Sequence, residues 1–272
     1  MLFSDLTLSR RLERAEGRAC VEFAAARRRL FPDSGAEWIE CAGTYAVFDG
    51  IDSPVTQTFG LGLFEEFDAE DLKTIEEFFR DRKAPVMHEV SPFAGTPTMR
   101  LLCENAYQPI EISNVLCQAI SKNASALPLT INVRVVDPDD FQLWSDISSK
   151  GWSHEHPELA GFLKDLGNIS AQRAQTFCFL ADFEGQSGAA GALCIHEGVA
   201  LFGGSATIPE LRRRGLQTAL LQHRMRFAYE RGCDVAMIVS EPGSKSHRNA
   251  ERSGFRVGYT RTKWRLLNER SI

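Results

Sequence analysis

Ser205-Ala-Thr-Ile-Pro-Glu-Leu-Arg-Arg-Arg-Gly-Leu-Gln-Thr-Ala-Leu220 holds a strand end, a bend, three arginines, a glycine and a helix start in one short run. Pro209 has no N–H for a sheet ladder and forces Ile208 to be extended, so the preceding strand ends there. Gly215 admits a backbone conformation closed to other residues just where a helix begins. The first N–H groups of a helix lack internal partners and sit at its positive end, which makes them an anion cradle. Arg212, Arg213 and Arg214 at that mouth add charge-assisted donors suited to phosphate.

Other phosphate and acyl-transfer patterns do not fit. No Gly-Lys-Ser/Thr follows, so this is not a nucleotide P-loop. Gly60-Leu-Gly62 runs into Leu63-Phe-Glu65-Glu66 and lacks the third glycine of a dinucleotide fingerprint. In Gly203-Gly-Ser205-Ala-Thr207 a threonine stands where the nucleophile elbow needs its second glycine.

Around this run the second half reads as a strand at 129–136, with a helix start at Asp137-Pro138-Asp139-Asp140. Helices follow at 139–150 and 157–169. Strands at 175–183, 189–196 and 199–207 come next, then a helix at 216–231 stopped by Gly232. A strand at 233–240, a short helix at 244–253 and a strand pair at 255–267 complete it. The first half reads as a helix at 9–30, strands at 38–48 and 55–64, a helix at 69–82, a strand at 85–90, a helix at 96–104 and a strand at 109–119. Asp49-Gly50 supplies the turn between the first two strands. Both halves share a late rhythm of helix, strand, proline (Pro92, Pro242), short helix and aromatic strand start (Tyr107, Phe255). We read a degenerate internal repeat, with 1–125 and 129–272 as the two domains and Ser121–Ala126 as linker.

The run Thr207–Gln217 resembles the acetyl-CoA motif of the GNAT superfamily of N-acetyltransferases, Arg/Gln-x-x-Gly-x-Gly/Ala between a strand and a helix. Ser246-His-Arg-Asn249-Ala-Glu-Arg-Ser-Gly254-Phe255 is similar to that family's second signature, a short helix bearing an asparagine and ending in Gly-Phe. The resemblance covers about the second half. It implies a fold class of α/β with a mixed sheet: two GNAT-like domains, each a mostly antiparallel twisted sheet with helices on both faces. It also implies that the backbone of Thr207 and Ile208 pairs with the pantetheine arm. The amides of Arg212, Arg213, Arg214, Gly215, Leu216, Gln217 and Thr218 would hold the pyrophosphate, and Asn249 would touch the arm. The cosubstrate is then acetyl-CoA, with no metal, and the reaction is direct attack by a substrate amine.

Two departures stand out. Gln217 replaces the motif's last small residue, so its side chain points away from the phosphates or contacts them itself. Ala250 stands where family members often carry a tyrosine that protonates the leaving thiolate, and Tyr259 is the nearest tyrosine in sequence. The sequence therefore names no catalytic residue. Trp152-Ser-His154-Glu-His156-Pro157 lies where this fold roofs its acceptor pocket; its histidines are base candidates and its indole a candidate floor for substrate, and of these readings we favour a polar loop with one anchoring tryptophan. His154-x-His156 lacks a third ligand for a metal. Glu241, at the end of the fifth strand, is another base candidate, with a surface or helix-capping carboxylate as the competing reading.

The first half reads differently at the equivalent helix start. Glu65, Glu66, Asp68, Glu70 and Asp71 crowd it, and such carboxylates repel a pyrophosphate. We expect that half to share the fold without the cofactor loop.

Bulk properties agree. The chain has 272 residues and a net charge of −5, which argues against a nucleic-acid partner. Hydrophobic residues make up 43%, enough for a packed core. Seven scattered cysteines, an odd number with no C-x-x-C pair, point to a reducing compartment and to roles as small core hydrophobes. No signal peptide and no membrane-spanning run are read, so the expectation is a cytoplasmic protein with no membrane partner, and no oligomer is predicted. The expected partner is a small-molecule amine. Antibiotic, polyamine, amino acid and peptide N-terminus all stay open as acceptors. A non-catalytic acyl-CoA-binding or sensing protein stands as the alternative.

Overall fold

The computed structural model describes residues 2–122, 130–153 and 160–267. The chain falls into two compact units, and they do not follow its halves. One comprises Met1–Gln118 with Ile238–Ile272, the other Ala119–Met237. The expected division at 1–125 and 129–272 therefore differs from the observed one, because the last strand joins the first unit. Most of the expected linker lies outside the described residues.

The first unit begins with helix α1 (Leu6–Leu30), capped by the Asp5 carboxylate, which accepts from the Leu8 N–H at 2.8 Å. Strands β1 (Glu37–Cys41), β2 (Thr44–Phe48) and β3 (Gln57–Phe59) follow. Then come α2 (Ala69–Arg80), β4 (Met87–Val90), α3 (Gly95–Glu104) and β5 (Tyr107–Ala119). The expected single strand at 38–48 is a hairpin: Ala42 and Gly43 have φ of 45° and 72°, the positive values that a two-residue turn demands. No Asn-Gly or Asp-Gly marks that turn. Helix α7 (Lys245–Arg252) and strand β11 (Arg256–Leu266) return from the end of the chain. The expected strand pair at 255–267 is one strand, because Gly258 lies in a register irregularity rather than a reversal, and β11 pairs on both sides, with β4 and β5. Every residue of β2 is buried. Ala46 and Phe48 pack against Leu72, Ile75 and Phe79 of α2, whereas Tyr45 and Val47 pack against Val21 and Ala24 of α1. Alternation on a strand thus sends one set to each of two helices.

The second unit holds β6 (Ile131–Val135), α4 (Phe141–Ser153), α5 (Ala160–Ala171), β7 (Thr176–Phe183), β8 (Gln186–His196), β9 (Val199–Thr207) and α6 (Leu216–Glu230). It also holds the first half of β10 (Val235–Ser240). Its strands run antiparallel from β6 to β9, and β10 joins β9 in parallel. The first unit has the same arrangement, with β3 and β4 as its parallel pair. The shared order supports the repeat read from the sequence.

All seven cysteines are free, four of them buried. Among the described residues no helix is long and apolar enough to cross a membrane, and no group of His, Cys, Asp and Glu could hold a metal ion.

Candidate acyl-carrier site

Strand β9 leaves its neighbour early. The β9–β10 ladder pairs Val199–Leu201 with Val235–Met237 and stops there, so Gly203–Thr207 has no strand partner on that side among the described residues. On the other side the ladder to β8 continues, and the Ile208 N–H donates to the Gly188 carbonyl at 2.9 Å. Main-chain groups alternate sides along a strand, so those of Thr207 face away from β8.

A short 3₁₀ turn at Pro209–Leu211 and the extended Arg212 lead to Arg213 at φ 63° and Gly215 at φ 86°. Gly215 is the N-cap of α6, and no side chain caps that helix. The N–H groups of Arg213, Arg214, Gly215, Leu216, Gln217 and Thr218 donate to no backbone group among the described residues; Ala219 is the first to do so, to Gly215. A Cβ at Gly215 would meet nothing closer than Ile131 Cδ1 at 3.6 Å, so its backbone conformation rather than crowding calls for glycine. The result is a row of amides without backbone acceptors at a helix start, beginning on the exposed Arg213, Arg214 and Gly215.

Two expected donors are committed elsewhere. The Arg212 N–H donates to Pro209, its Nε to the Thr207 carbonyl at 3.3 Å and its Nη2 to the Gly151 carbonyl at 3.0 Å. Arg212 therefore fastens the loop to the last turn of α4 rather than facing the opening. The Ile208 N–H belongs to the ladder and its side chain is buried. Arg213 and Arg214 are exposed, the latter with its guanidinium 5.6 Å from the Phe183 ring. The Gln217 amide turns back onto β9, donating to the Ala206 carbonyl and to Thr207 Oγ1, both at 2.7 Å. It points away from the amides, the first of the two orientations open to it.

Helix α4 lies directly on this strand end. A Cβ at Gly151 would sit 2.7 Å from Ala206 Cβ and 3.0 Å from the Thr207 nitrogen. Trp152, one residue on, is 51% exposed, so among the described residues it is not the buried anchor expected. His154, Glu155, His156 and Pro157 lie outside the described residues.

Other candidates belong to the first unit. Asn249 is exposed on α7, and Ala250 beside it is buried. Tyr259 is buried, and its hydroxyl donates to Glu13 Oε1 at 2.8 Å. Burial and the Glu13 charge drive that phenol well above its ordinary range, and its proton is already committed to Glu13. Glu241 lines an exposed groove with Ile110, Ile112 and Pro242, and Ser244, not Glu241, caps α7.

At the first unit's equivalent helix start the amides are filled. Asp68 accepts from the N–H of Glu70 and Asp71 at 2.8 and 3.1 Å, while Asp71 accepts from the Asp68 N–H at 3.2 Å. This reciprocal cap occupies the positions that stand open in α6.

Residues 141–255 match the model of the Acetyltransferase (GNAT) family. This stretch is a GNAT-family domain. The whole chain is similar in fold to a GCN5-related N-acetyltransferase from Kribbella flavida, at TM-score 0.65 and 16% identity, covering 93% of this chain and 97% of that one. A tandem GNAT protein from the clavulanic acid biosynthesis pathway matches at TM-score 0.59 and 12% identity, over 83% of this chain and 79% of that one. A GCN5-related N-acetyltransferase from Sphaerobacter thermophilus matches at TM-score 0.54 and 16% identity, over 93% and 92%. At such identities these likenesses establish the fold, a tandem GNAT architecture. No curated protein matches the chain.

The GNAT loop was legible because its parts are local: a proline, a glycine and three arginines within a few residues. The packing of Gly151 on Thr207 was not, since nothing near Gly151 in sequence signals a strand end that lies 56 residues further on.

Proposed function

We propose that the second unit binds acetyl-CoA and transfers its acetyl group to a primary amine of a small molecule. The observation that carries this reading is the row of free amides from Arg213 to Thr218 around Gly215. A diphosphate satisfies such donors at the positive end of a helix, with the exposed Arg213 and Arg214 adding charge. The Thr207 N–H, turned away from β8, suits the amide-bearing pantetheine arm, which then lies along β9 as an added strand. In the reaction the amine nitrogen attacks the thioester carbonyl carbon, the C–S bond breaks, and the amine loses a proton as CoA leaves as its thiol. The enzyme's share is placement of the two reactants and donors at the developing negative charge.

Ala250 and the Glu13-bound Tyr259 favour one further reading, an acyl-CoA-binding protein without turnover, because neither supplies an acid for the thiolate. A panel of amines with acetyl-CoA and thiol detection separates the two, since a pure binder releases no thiol above background. Gly215→Val tests both, because a β-branched residue is strained at φ 86°. CoA affinity measured by calorimetry should fall more than about tenfold, a loss above about 1.4 kcal/mol. An unchanged affinity in a folded variant overturns both readings.

A further inference from the structure

Strand β9 bulges just before the site. Its ladder with β8 pairs Ala189 with Thr207 and Ala190 with Ala206, then Ala192 with Gly203. Gly204 and Ser205 therefore face Gly191 alone, and Gly204 takes φ 59°. A bulge leaves backbone groups without their ladder partners, and on the β8 side, where Gly191 and Ala192 are buried, these need other donors.

Two helices supply them from opposite faces. From α4, the buried Trp144 donates its Nε1–H to the Gly191 carbonyl at 3.2 Å. From α6, Arg224, 2% exposed, donates from Nη1 to the carbonyls of Ala192 at 2.9 Å and Gly203 at 3.3 Å, and from Nη2 to Ser205 Oγ at 2.9 Å. Its Nε donates to the Leu220 carbonyl at 3.3 Å, and the guanidinium lies 5.2 Å from the Phe202 ring. A Cβ at Gly191 would come within 2.9 Å of Arg224 Cζ, so the glycine makes room for the cation.

The partners of this buried cation are carbonyls and a hydroxyl rather than a carboxylate. Burial pulls its pKa down to about 10, which leaves it charged at neutral pH. The consequence falls on Ser205. A hydroxyl that accepts from a guanidinium keeps its own proton for another acceptor, and the adjacent charge makes it a stronger donor. Ser205 is half-buried, on the part of β9 that has no partner strand, two residues before Thr207.

We infer that Arg224 is a positioning residue that holds the bulge and aims the Ser205 hydroxyl outward as a hydrogen-bond donor to the pantetheine arm of the acyl-CoA. This rests on the acyl-CoA reading above. It adds a contact to the arm, separate from the pyrophosphate amides.

Calorimetry with two probes tests it: CoA, and 3′-phospho-ADP, the part of CoA without the arm. Ser205→Ala should weaken CoA about tenfold while leaving 3′-phospho-ADP within about twofold. Arg224→Lys should show the same split, because an ammonium cannot span three acceptors in the guanidinium's fork. The double variant should be no more than about twofold weaker than Ser205→Ala, since both act through one hydroxyl. Should Arg224→Lys fail to fold, Ser205→Ala decides alone. CoA binding unchanged in Ser205→Ala, or equal losses on both probes, overturns the inference. A wild-type protein that binds neither probe overturns the acyl-CoA reading itself.

Discussion

Glu13 of α1 and Arg261 of β11 form an ion pair at 3.2 Å across 248 residues of chain, with the two side chains 0% and 2% exposed. Glu16 adds a bidentate contact to the same guanidinium at 2.5 and 2.9 Å, Glu89 lies 3.0 Å from Nε, and Ser113 accepts at 3.1 Å. One arginine thus serves three carboxylates contributed by α1 and β4. Its own pKa is pushed well up by them despite burial. The last strand of the chain is bound into the first unit by charge as well as by its ladders.

Arg261→Met should therefore destabilise the first unit by about 3–5 kcal/mol, because it strands three carboxylates away from water. Urea unfolding monitored at equilibrium measures this. A loss below about 1 kcal/mol would show that the cluster relaxes into solvent and that the ladders alone hold β11.

The same cluster sets a pH dependence. Burial pushes Glu13 up to about 7, with Glu16 and Glu89 adding to the shift while Arg261 and the Tyr259 hydroxyl oppose it. Glu89 is also raised, with Lys263 at 3.5 Å opposing. The unfolded chain loses the Glu13 proton near pH 4.5, whereas the folded chain keeps it to about 7. Stability should therefore fall as pH rises through that window and level off above it, by at most about 3 kcal/mol from this group. Glu13→Gln should flatten the difference in Tm between pH 5 and pH 8. An equally steep profile in that variant would assign the dependence to other groups.

What could be read in advance follows how local each cause is. The strand end at Ile208, the glycine at 215 and the helix after it depend on neighbours in sequence, so the site loop and the order of elements were visible. The place of β11 was not. It is decided by partners 139 or more residues away, in β4, β5 and α1, and a strand's own pattern says which face is buried but not which strand lies beside it. Arg224 was hidden for the same reason: on a helix it reads as one more surface charge, and only the bulge at Gly191 and Gly204 makes it interior. The hairpin at Ala42–Gly43 escaped because its turn lacks the Asn or Asp that marks such turns.

Gly151 tests whether α4 sets the site. Adding a methyl there places it 2.7 Å from Ala206 Cβ and 3.0 Å from the Thr207 nitrogen, and backbone cannot yield as a flexible side chain does. Gly151→Ala should cost about 1–3 kcal/mol of stability by forcing the helix off the strand. It should also weaken CoA severalfold, because Thr207 and the Gly151 carbonyl that holds Arg212 both shift. Stability and CoA affinity measured on the same sample separate the two effects. Intact affinity in a destabilised variant would show that α4 packs on the site without shaping it.

Asp68 makes the case for a single site per chain. Its carboxylate fills the Glu70 and Asp71 amides, in the position where α6 leaves its own open, and Glu65, Glu66, Glu70 and Asp71 place further negative charge around that helix start. A pyrophosphate there would have to displace an internal cap worth about 1 kcal/mol and then face repulsion from its neighbours. Calorimetry with CoA should accordingly give one molecule per chain. Asp68→Ala should lower stability by about 1 kcal/mol and leave both stoichiometry and affinity as they are, because the remaining carboxylates still repel the ligand. Two CoA molecules per chain, in the wild type or in this variant, would mean that the charge around α2 does not decide which half carries the acyl donor.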